Sequence, residues 1–308
     1  MIRSPLRSRW TAAVAVACGA LLLGGCGGAP HAAGSAAAGT SAGLSVDPAL
    51  ADALPADVRA SGRLRIVTEA SYAPASSFGP DGRTIIGFEP DLAKALGAVL
   101  GLQVTVTNAG FDELPELVTS RKADLIMSAM TDTRQRERSL DFVNYFSAGT
   151  AILVQRGNPK GVTALGDLCG QPVAVQRGTV QVELVRHAQA NCPAGTAILL
   201  RTFPTNDDAL LQLRTGRVTA VLNDYPPAAA LTTDPATGAR FQLASTAQYE
   251  PGWYGIGVAK RRQQLRNAVQ GALQKLLDTG RYRAVLRAWN VADGAVLKAT
   301  INAGAAQS

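Results

Sequence analysis

The sequence predicts an α/β fold built from two successive series of strands and helices. Short β-branched runs alternate with helical patterns from Leu64 to Gln155, and a second alternating series follows Asn158-Pro159. Alternation at this spacing is typical of a parallel or mixed sheet with helices on both faces. The 308 residues are enough for two domains, and an apolar content of 47% fits a globular chain better than a disordered one.

The first series is predicted to begin with a helix over 48–60, because Asp47 is a favourable N-cap and Pro48 suits the first helical position. Apolar periodicity predicts its other elements, which are strands 64–68, 103–107, 124–128 and 150–155 and helices 91–100 and 114–121.

The second series follows the same alternation. Its predicted elements are strands 173–176, 198–203 and 220–224 and helices 180–190 and 206–215. An apolar run, 253–258, then precedes two helices over 262–278 and 280–289. From the residues alone, this last part of the chain can either extend the second series or return to complete the first.

The amino terminus has the layout of a secretory signal. A start with three arginines precedes an apolar run, 11–23, which is too short for a comfortable transmembrane helix. Leu23-Gly24-Gly25-Cys26 resembles a bacterial lipobox, which implies removal of residues 1–25 and attachment of lipid to the sulfur of Cys26. An ordinary secreted protein with an incidental cysteine is the alternative. Residues 26–47, rich in Gly, Ala and Ser, are predicted to be a flexible tether.

Charge and composition argue against several functions. Loss of three arginines with residues 1–25 lowers the net charge from +7 to +4, and no basic run is interleaved with aromatics, so nucleic acid is not an expected partner. His31 and His187 are the only histidines, which argues against a metal site and against a Ser-His-Asp or Cys-His pairing. We therefore expect no metal, no cofactor and no catalytic residue.

Two cysteines, Cys169 and Cys192, remain after the leader and the lipid site are accounted for. An even number of cysteines in an oxidising compartment predicts a disulfide between them. Two free thiols are the alternative.

The segment MSAMTDTRQR, 127–136, places small hydroxyl residues and two arginines directly after an apolar run. Its hydroxyl residues are helix N-cap types, so we expect a strand that ends into a helix start, where free backbone N–H groups favour an anion. Arg136 lies close by, and its guanidinium can hold a carboxylate with two hydrogen bonds. The segment therefore predicts a carboxylate receptor, although a capping turn with its arginines in solvent explains the same residues.

Three other predicted strands also end in polar residues, namely Thr68-Glu69, Val175-Gln176 with Gly178-Thr179 after it, and Asn223-Asp224. Open α/β sheets bind ligands at the carboxyl ends of their strands. Two such sheets facing each other would bring these polar ends into one cleft with Arg136. One cation and two anions there match an amino acid, a zwitterion with a further polar group. For Asp224, a turn-capping role is the alternative.

Five motifs together carry a resemblance to a known family. They are TEASYAP (68–74), GFEPDLAKALG (87–97), ADLIMSAMTDTRQRE (123–137), VQRGT (175–179) and LNDY (222–225). Over about residues 62–290, the chain resembles the polar amino-acid family (family 3) of bacterial extracytoplasmic solute-binding proteins, which serve ABC importers. It departs from the family pattern at Glu69, Pro90, Ala129 and Val180.

The resemblance implies a periplasmic-binding-protein-like fold, in which two lobes with open mixed sheets are joined by a two-strand hinge. The chain would cross between the lobes near 150–156 and 249–256 and return to the first lobe. The expected divisions are a discontinuous lobe 1 of 48–152 plus 254–295, a lobe 2 of 153–253, and a C-terminal tail of 296–308.

The resemblance also implies how the ligand carboxylate is held. Arg136 would bind it, assisted by Thr131 and by the backbone at Ser128 and Thr179. Gly178 would let the ligand approach the backbone. Ala129 would line the site without the hydroxyl that is frequent in the family.

The rest of the ligand would contact four other residues. Asp224 would hold the α-ammonium, and Glu69 would face either the ammonium or the end of the ligand side chain. Tyr72 and Phe88 would pack on that side chain, although packing in the core explains Phe88 equally well.

The implied function is capture of an amino acid by hinge closure and its delivery to an ABC permease. The protein is expected to be a monomer, extracytoplasmic and held on the outer face of the cell membrane through Cys26. A carboxylate at Glu69 favours a ligand with a basic or amide side chain. Two alternatives are a cyclohexadienyl or arogenate dehydratase-like enzyme, with Glu69 or Asp224 as general acid, and a ligand sensor domain.

Overall fold

A computed structural model describes residues 43–304 of the protein. The predicted signal segment 1–25, the lipidation site Cys26 and most of the tether lie outside these residues. Between residues 43 and 304, no helix is long and apolar enough to cross a bilayer.

Ten strands form one mixed sheet that runs through both lobes of the protein. Along its main path the strand order is β5-β1-β6-β12-β7-β10-β8-β9, and β11 and β13 both pair with β7. The bounds of these strands are β1 Arg63–Thr68, β5 Gln103–Asn108, β6 Leu125–Ile126, β7 Leu140–Gln155, β8 Pro172–Gln176, β9 Leu199–Phe203, β10 Ala220–Asp224, β11 Phe241–Leu243, β12 Tyr249–Ala259 and β13 Ala295–Ile301. A small second sheet consists of β2 Ser71–Tyr72, β3 Ser76–Phe78 and β4 Ile85–Ile86.

Nine α-helices accompany the strands within the described part of the chain. They are α1 Pro48–Asp52, α2 Ala56–Ser61, α3 Phe88–Leu100, α4 Leu114–Thr119, α5 Val180–Gln189, α6 Asn206–Arg214, α7 Tyr225–Thr233, α8 Gln263–Asp278 and α9 Arg281–Ala288. The predicted helix over 48–60 is wrong as a single element, because Pro55 follows the end of α1 and precedes α2. A proline inside a helix removes a backbone hydrogen bond and clashes with the preceding turn, so the chain breaks there.

Two lobes are defined by where the buried apolar residues cluster. In the first lobe, β1, β5, α3, α8 and α9 enclose a core that includes Leu64, Leu96 and Leu273. In the second lobe, β8, β10, α5 and α6 enclose cores that include Val173 and Val221. Each lobe combines parallel strand pairs, such as β1 with β5 and β8 with β9, with antiparallel partners from the connecting strands, so the sheet is mixed in both lobes.

The two long strands β7 and β12 connect the lobes. The first part of β7, up to Ala148, pairs with β12 in the first lobe, whereas its second part, from Thr150, pairs with β10 in the second lobe. The pairing of β7 with β12 is irregular between Tyr249 and Gly252, so the ladder is interrupted where the chain changes lobe. The structure thus has the two-strand hinge of a periplasmic-binding-protein-like fold, and the chain returns to the first lobe after β12.

The C-terminal segment does not follow the predicted division. Strand β13, Ala295–Ile301, pairs antiparallel with β7, and Val296 and Ala299 are buried against the first-lobe core. The segment predicted as a tail from residue 296 therefore contains a strand of the first lobe. Burial does not alternate along this strand, because the exposed Leu297 and Lys298 separate the buried Val296 and Ala299, so a period of two residues did not indicate it.

The disulfide predicted between Cys169 and Cys192 is confirmed, with Cα atoms 5.6 Å apart. It ties the end of the turn before β8 to the residues after α5 in the second lobe. Because the bond closes a loop with a sequence separation of 23, replacing both cysteines by alanine should lower the free energy of unfolding by about 3 kcal/mol. Urea unfolding followed by circular dichroism measures this loss. Wild-type protein in strong reductant should show the same shift, and an unchanged midpoint in both samples would contradict the expectation.

Candidate functional site

One cleft lies where the carboxyl ends of strands from both lobes meet. Its walls include most of the predicted ligand-binding residues, together with four that were not among them, Phe111, Gln176, Val180 and Gln181. The lining residues are Glu69, Tyr72, Phe111, Ser128, Ala129, Thr131, Arg136, Gln176, Thr179, Val180, Gln181 and Asp224. The free volume between them is about 20 Å³, which is room for roughly one water molecule, so the two walls contact each other across the cleft.

Arg136 joins the two lobes through its guanidinium. Nη1 donates to the carbonyl of Thr131 at 2.7 Å in its own lobe, and Nη2 donates to the carbonyl of Gly178 at 2.9 Å in the second lobe. The guanidinium also lies 5.5 Å from the centre of the Phe111 ring, a cation–π distance. Burial lowers the pKa of Arg136 to about 10, while the carboxylates of Asp224 and Asp132 oppose the shift. The group therefore remains a cation at neutral pH.

The turn that carries Arg136 differs from the prediction. Strand β6 covers only Leu125–Ile126, and no α-helix follows it; Arg136–Arg138 form a single 3₁₀ turn. The hydroxyl of Thr133 accepts a 3.3 Å hydrogen bond from the Arg136 amide, as an N-cap would. Extended pairing with β12, through the Thr131–Tyr254 bridge, competes with a helix start here and holds the segment open.

Asp224 lies at the end of β10 and is 6% exposed. Its Oδ1 accepts a 2.7 Å hydrogen bond from Gln181, and its Oδ2 accepts one of 3.1 Å from the hydroxyl of Tyr72 in the other lobe. Burial raises the pKa of Asp224 to about 6, while nearby Tyr254, Tyr72, Gln181 and Arg136 oppose the shift. The carboxylate is thus an anion at neutral pH, held in a poorly hydrated place.

Glu69 follows β1 and is 5% exposed. Its Oε2 accepts hydrogen bonds from Ser71 at 2.8 Å and from Gln176 of the second lobe at 3.2 Å. Burial raises the pKa of Glu69, and these two hydrogen bonds oppose the shift. The Ser128 hydroxyl accepts from the Glu69 amide at 2.9 Å, so Ser128 fixes the end of this strand as well as lining the cleft.

Two backbone conformations shape the walls. Gly178 has a φ of +79°, which favours glycine and turns its carbonyl towards Arg136. Thr179 occupies the N-cap position of α5, but its hydroxyl donates to the Gln176 carbonyl at 2.7 Å instead of capping the helix. Ala129 has a φ of +47°, and its amide donates to Glu89 at 2.6 Å.

Glu89 is a supporting residue that the sequence analysis missed. Only 1% exposed, it accepts hydrogen bonds from the hydroxyls of Ser76 and Tyr145 in addition to the Ala129 amide. Burial raises its pKa, and the hydrogen bonds oppose this. The signal in the sequence was a pair of acidic residues, Glu89 and Asp91, among apolar residues at a helix start, since acidic side chains buried there require partners.

Phe88 does not line the cleft, so its predicted ligand contact is wrong and the core alternative is correct. Its ring stacks on Phe146 with centroids 5.1 Å apart, inside the first-lobe core. Phe111, in the turn after β5, provides an aromatic wall instead. Gln176 and Gln181 also line the cleft. Gln176 is the polar end of β8 within the VQRGT motif, whereas Gln181 lies in the first turn of α5, where the sequence analysis identified no ligand contact.

Other predicted features lie away from the cleft. His187 is exposed on α5, where it contacts Glu250 at 3.3 Å. Between residues 43 and 304, no group of three or more His, Cys, Asp or Glu side chains is arranged to hold a metal ion. The cleft thus brings together one cation, Arg136, and two buried carboxylates, Glu69 and Asp224.

Residues 64–292 match the sequence profile of the bacterial extracellular solute-binding proteins, family 3. The chain belongs to this family. This match confirms the resemblance drawn from the five motifs, and the mixed α/β fold with its two lobes is that of the family.

The relatives of this family-3 protein include amino-acid-binding proteins. It is 27% identical over 227 residues, 73% of this chain and 90% of the relative, to the "Putative ABC transporter arginine-binding protein 2" of Escherichia coli K12. Its structure resembles "An ancestral arginine-binding protein bound to arginine", with a TM-score of 0.68, 30% identity and coverage of 74% of this chain and 98% of that one. A third, "the ancestral amino acid-binding protein AncCDT-1, a precursor of cyclohexadienyl dehydratase", matches with a TM-score of 0.67, 29% identity and coverage of 76% and 97%.

Proposed function

We propose that this family-3 protein captures a polar amino acid with a basic or amide side chain by hinge closure and delivers it to an ABC permease. The single observation that carries the proposal is the placement of Arg136 and Asp224 on different lobes but in one cleft. A guanidinium and a carboxylate at its two ends complement the two charges that all α-amino acids share.

The carboxylate of the ligand is assigned to Arg136. The guanidinium now donates to the carbonyls of Thr131 and Gly178, which are uncharged acceptors. A ligand carboxylate can take the same fork geometry with two parallel hydrogen bonds and adds the attraction of an opposite charge, which an uncharged carbonyl lacks. The ammonium is assigned to Asp224, whose neighbours Tyr72 and Gln181 fix its oxygens.

Specificity is assigned to Glu69. A buried carboxylate beside the cleft repels an acidic side chain and attracts a cation or an amide donor. Gln176 contacts the same carboxylate from the second lobe, so a ligand donor can replace or join this contact. Two relatives, the putative arginine-binding protein of Escherichia coli and the ancestral protein bound to arginine, agree with a basic ligand.

Hinge closure is supported by the contacts that cross the cleft. Tyr72 with Asp224, Arg136 with Gly178, and the ion pair of Asp112 with Arg177 at 2.8 Å all join the two lobes. The space between the walls is smaller than an amino acid requires, so the lobes must separate for a ligand to enter. The ligand favours the closed form only through contacts that it makes with both lobes.

The proposed location is extracytoplasmic, with Cys26 lipidated and residues 26–47 as the tether. The described end of the tether, 43–47, contacts the first lobe: Leu44 packs against its core, and Asp47 pairs with Lys275 at 3.1 Å.

A thermal-shift screen of the mature chain against the twenty amino acids tests the proposal, because a ligand that binds the folded state raises its apparent stability. Arginine, lysine or glutamine should raise the melting temperature, and calorimetry should then give the affinity. A protein unresponsive to all twenty amino acids, or one that binds glutamate most tightly, would refute the assignment.

Affinity should depend on pH through Asp224. Its pKa of about 6 means that the carboxylate is ionised at pH 7.5 and mostly protonated at pH 5. Because the ligand ammonium requires the ionised form, affinity should fall about tenfold between pH 7.5 and pH 5. Burial also raises the pKa of Glu69. Protonation of Glu69 at low pH should therefore lower the affinity further for a ligand with a cationic side chain. Calorimetry at both pH values measures the change, and equal affinities would contradict it.

A dehydratase is the second candidate, supported by the raised pKa of the buried Glu69 and by the dehydratase-precursor relative. A general acid needs such a pKa. Incubation of the protein with arogenate and with prephenate decides between the two functions. Turnover of either compound supports the enzyme, whereas binding of amino acids without turnover supports the transport protein.

A further inference from the structure

The C-terminal residues 295–304, which we call the strap, lie beyond the segment that matches the family, since the match ends at residue 292. The strap begins with β13, which pairs with β7 through Thr300 opposite Asn144 and Ile301 opposite Val143. Its end then runs past the edge of the sheet towards the turn that carries Arg136. An element outside the family match thus packs directly behind the proposed carboxylate site.

The end of the strap is held by side chains of β7. Asn302 accepts a 2.8 Å hydrogen bond from the Phe142 amide and donates to Asp141 at 3.1 Å. The Ala303 amide donates to the side-chain oxygen of Asn144 at 3.2 Å. These bonds place the next residue, Gly304, against a buried carboxylate.

That carboxylate belongs to Asp132, which is 3% exposed. Its Oδ2 accepts hydrogen bonds from the Gly304 amide at 3.0 Å and from Asn144 at 2.9 Å. Its own amide donates to the Trp253 carbonyl at 2.7 Å. Three segments that are distant in the sequence therefore meet at Asp132, and the strap supplies one of them.

Asp132 is next to the residues that hold Arg136. The preceding carbonyl, that of Thr131, accepts from Arg136 Nη1 at 2.7 Å. Any shift of the Asp132 backbone moves this carbonyl and with it the guanidinium. The negative charge of Asp132 also favours the charged form of Arg136.

We propose that the strap is a positioning element for the ligand carboxylate, with Gly304 and Asp132 as its positioning residues. The expected effect on ligand affinity rests on the proposed function. The expected effect on the rigidity of the turn does not. The strap fixes the backbone from Thr131 to Arg136, so that the guanidinium is already oriented when a ligand arrives. Orientation in advance removes part of the ordering cost of binding.

Gly304 gives the sharpest test, because a side chain has no room there. A Cβ at this position would lie 2.1 Å from the carbonyl oxygen of Asp132 and 2.5 Å from its carbonyl carbon. Both contacts are with backbone, which cannot swing away as the end of a side chain can. Gly304→Ala should therefore displace either the strap or the Asp132 backbone, and both weaken the support of Arg136.

The experiment compares Gly304→Ala with Gly166→Ala, a matched change in the second lobe where a Cβ would meet nothing within 4 Å. A second variant ends the chain after Ala303, which removes the Gly304 amide and its hydrogen bond together with the residues that follow, and leaves a terminal carboxylate at Ala303. Hydrogen exchange, followed by mass spectrometry without ligand, reports on the peptide 128–138. Calorimetry with the amino acid found in the screen reports the dissociation constant.

We expect both C-terminal variants to exchange faster in 128–138 but not in 172–176, and to bind about tenfold more weakly, which is about 1.4 kcal/mol. Gly166→Ala should match the wild type in both measurements. Unchanged exchange in 128–138 would show that the strap does not fix this turn, whatever the dissociation constants are. Faster exchange with unchanged affinity also overturns its positioning role. If the wild type binds no amino acid, the proposed function fails, and exchange alone then decides whether the strap fixes the turn.

Discussion

Replacing Arg136 by alanine should weaken amino-acid binding by about 2–5 kcal/mol, a loss of at least roughly 30-fold in affinity. The reason is that the ligand carboxylate would be buried in the cleft without its charged partner. The carbonyls of Thr131 and Gly178 would also lose their donor and face the carboxylate oxygens. Calorimetric titration of the variant and of the wild type measures the difference directly.

Arg138→Ala is the matched control, because it removes an exposed arginine from the same 3₁₀ turn. It should bind like the wild type. Equal affinity of the Arg136 variant and the wild type would show that the carboxylate is held elsewhere. Equal weakening in both variants would instead show that the turn attracts the ligand through its total positive charge. Specific hydrogen bonds from the Arg136 guanidinium would then not be required.

Replacing Asp224 by asparagine should weaken binding by a similar amount, about 2–5 kcal/mol, because the ligand ammonium loses its buried counter-ion. The variant should also lose the pH dependence assigned to Asp224. In contrast to its affinity, the free energy of unfolding of the variant without ligand should increase at neutral pH. Burial raises the pKa of Asp224 to about 6, so the folded state binds this proton more tightly than the unfolded chain does. The contribution of this group to stability is thus complete below its ordinary pKa and is lost as the pH rises to about 6.

At pH 7.5 and without ligand, Asp224→Asn should therefore melt at a higher temperature than the wild type while binding far more weakly. Such a trade of stability for function is expected of a buried charge that serves a ligand. Glu183→Gln, which changes an exposed acid in the same lobe, should alter neither property by much. If Asp224→Asn binds the ligand as tightly as the wild type, Asp224 does not hold the ligand ammonium.

Much of the fold was predictable because its signals are local. Strands such as Ala220–Asp224 are short apolar runs with polar ends, and helices such as Gln263–Asp278 have a clear apolar stripe. Since parallel strands place their carboxyl ends at one edge of a sheet, the polar residues that follow them were expected to share a cleft. The structure brings Glu69, Arg136 and Asp224 together there.

Apart from the helix break at Pro55, which is local, the failures concern contacts between residues that are distant in the sequence. The segment after β6 resembles a helix start, but pairing with Tyr254 keeps it extended. Nothing near Phe88 distinguishes a core ring from a ring that contacts ligand; its partner Phe146 is 58 positions later in the chain. The strap is short and its burial does not alternate; it pairs with β7, and Asn144 accepts its hydrogen bonds.

The central claim is that opposite lobes hold the two charged ends of one amino acid. Titrating the wild type with arginine, with its decarboxylated amine and with its analogue lacking the α-ammonium tests this most directly. The claim predicts that each truncated compound binds at least about 30-fold more weakly than arginine, since each leaves one buried charge unpaired. If arginine binds and either truncated compound binds as tightly, the corresponding end of the ligand is not held by the residue assigned to it, and the claim is wrong.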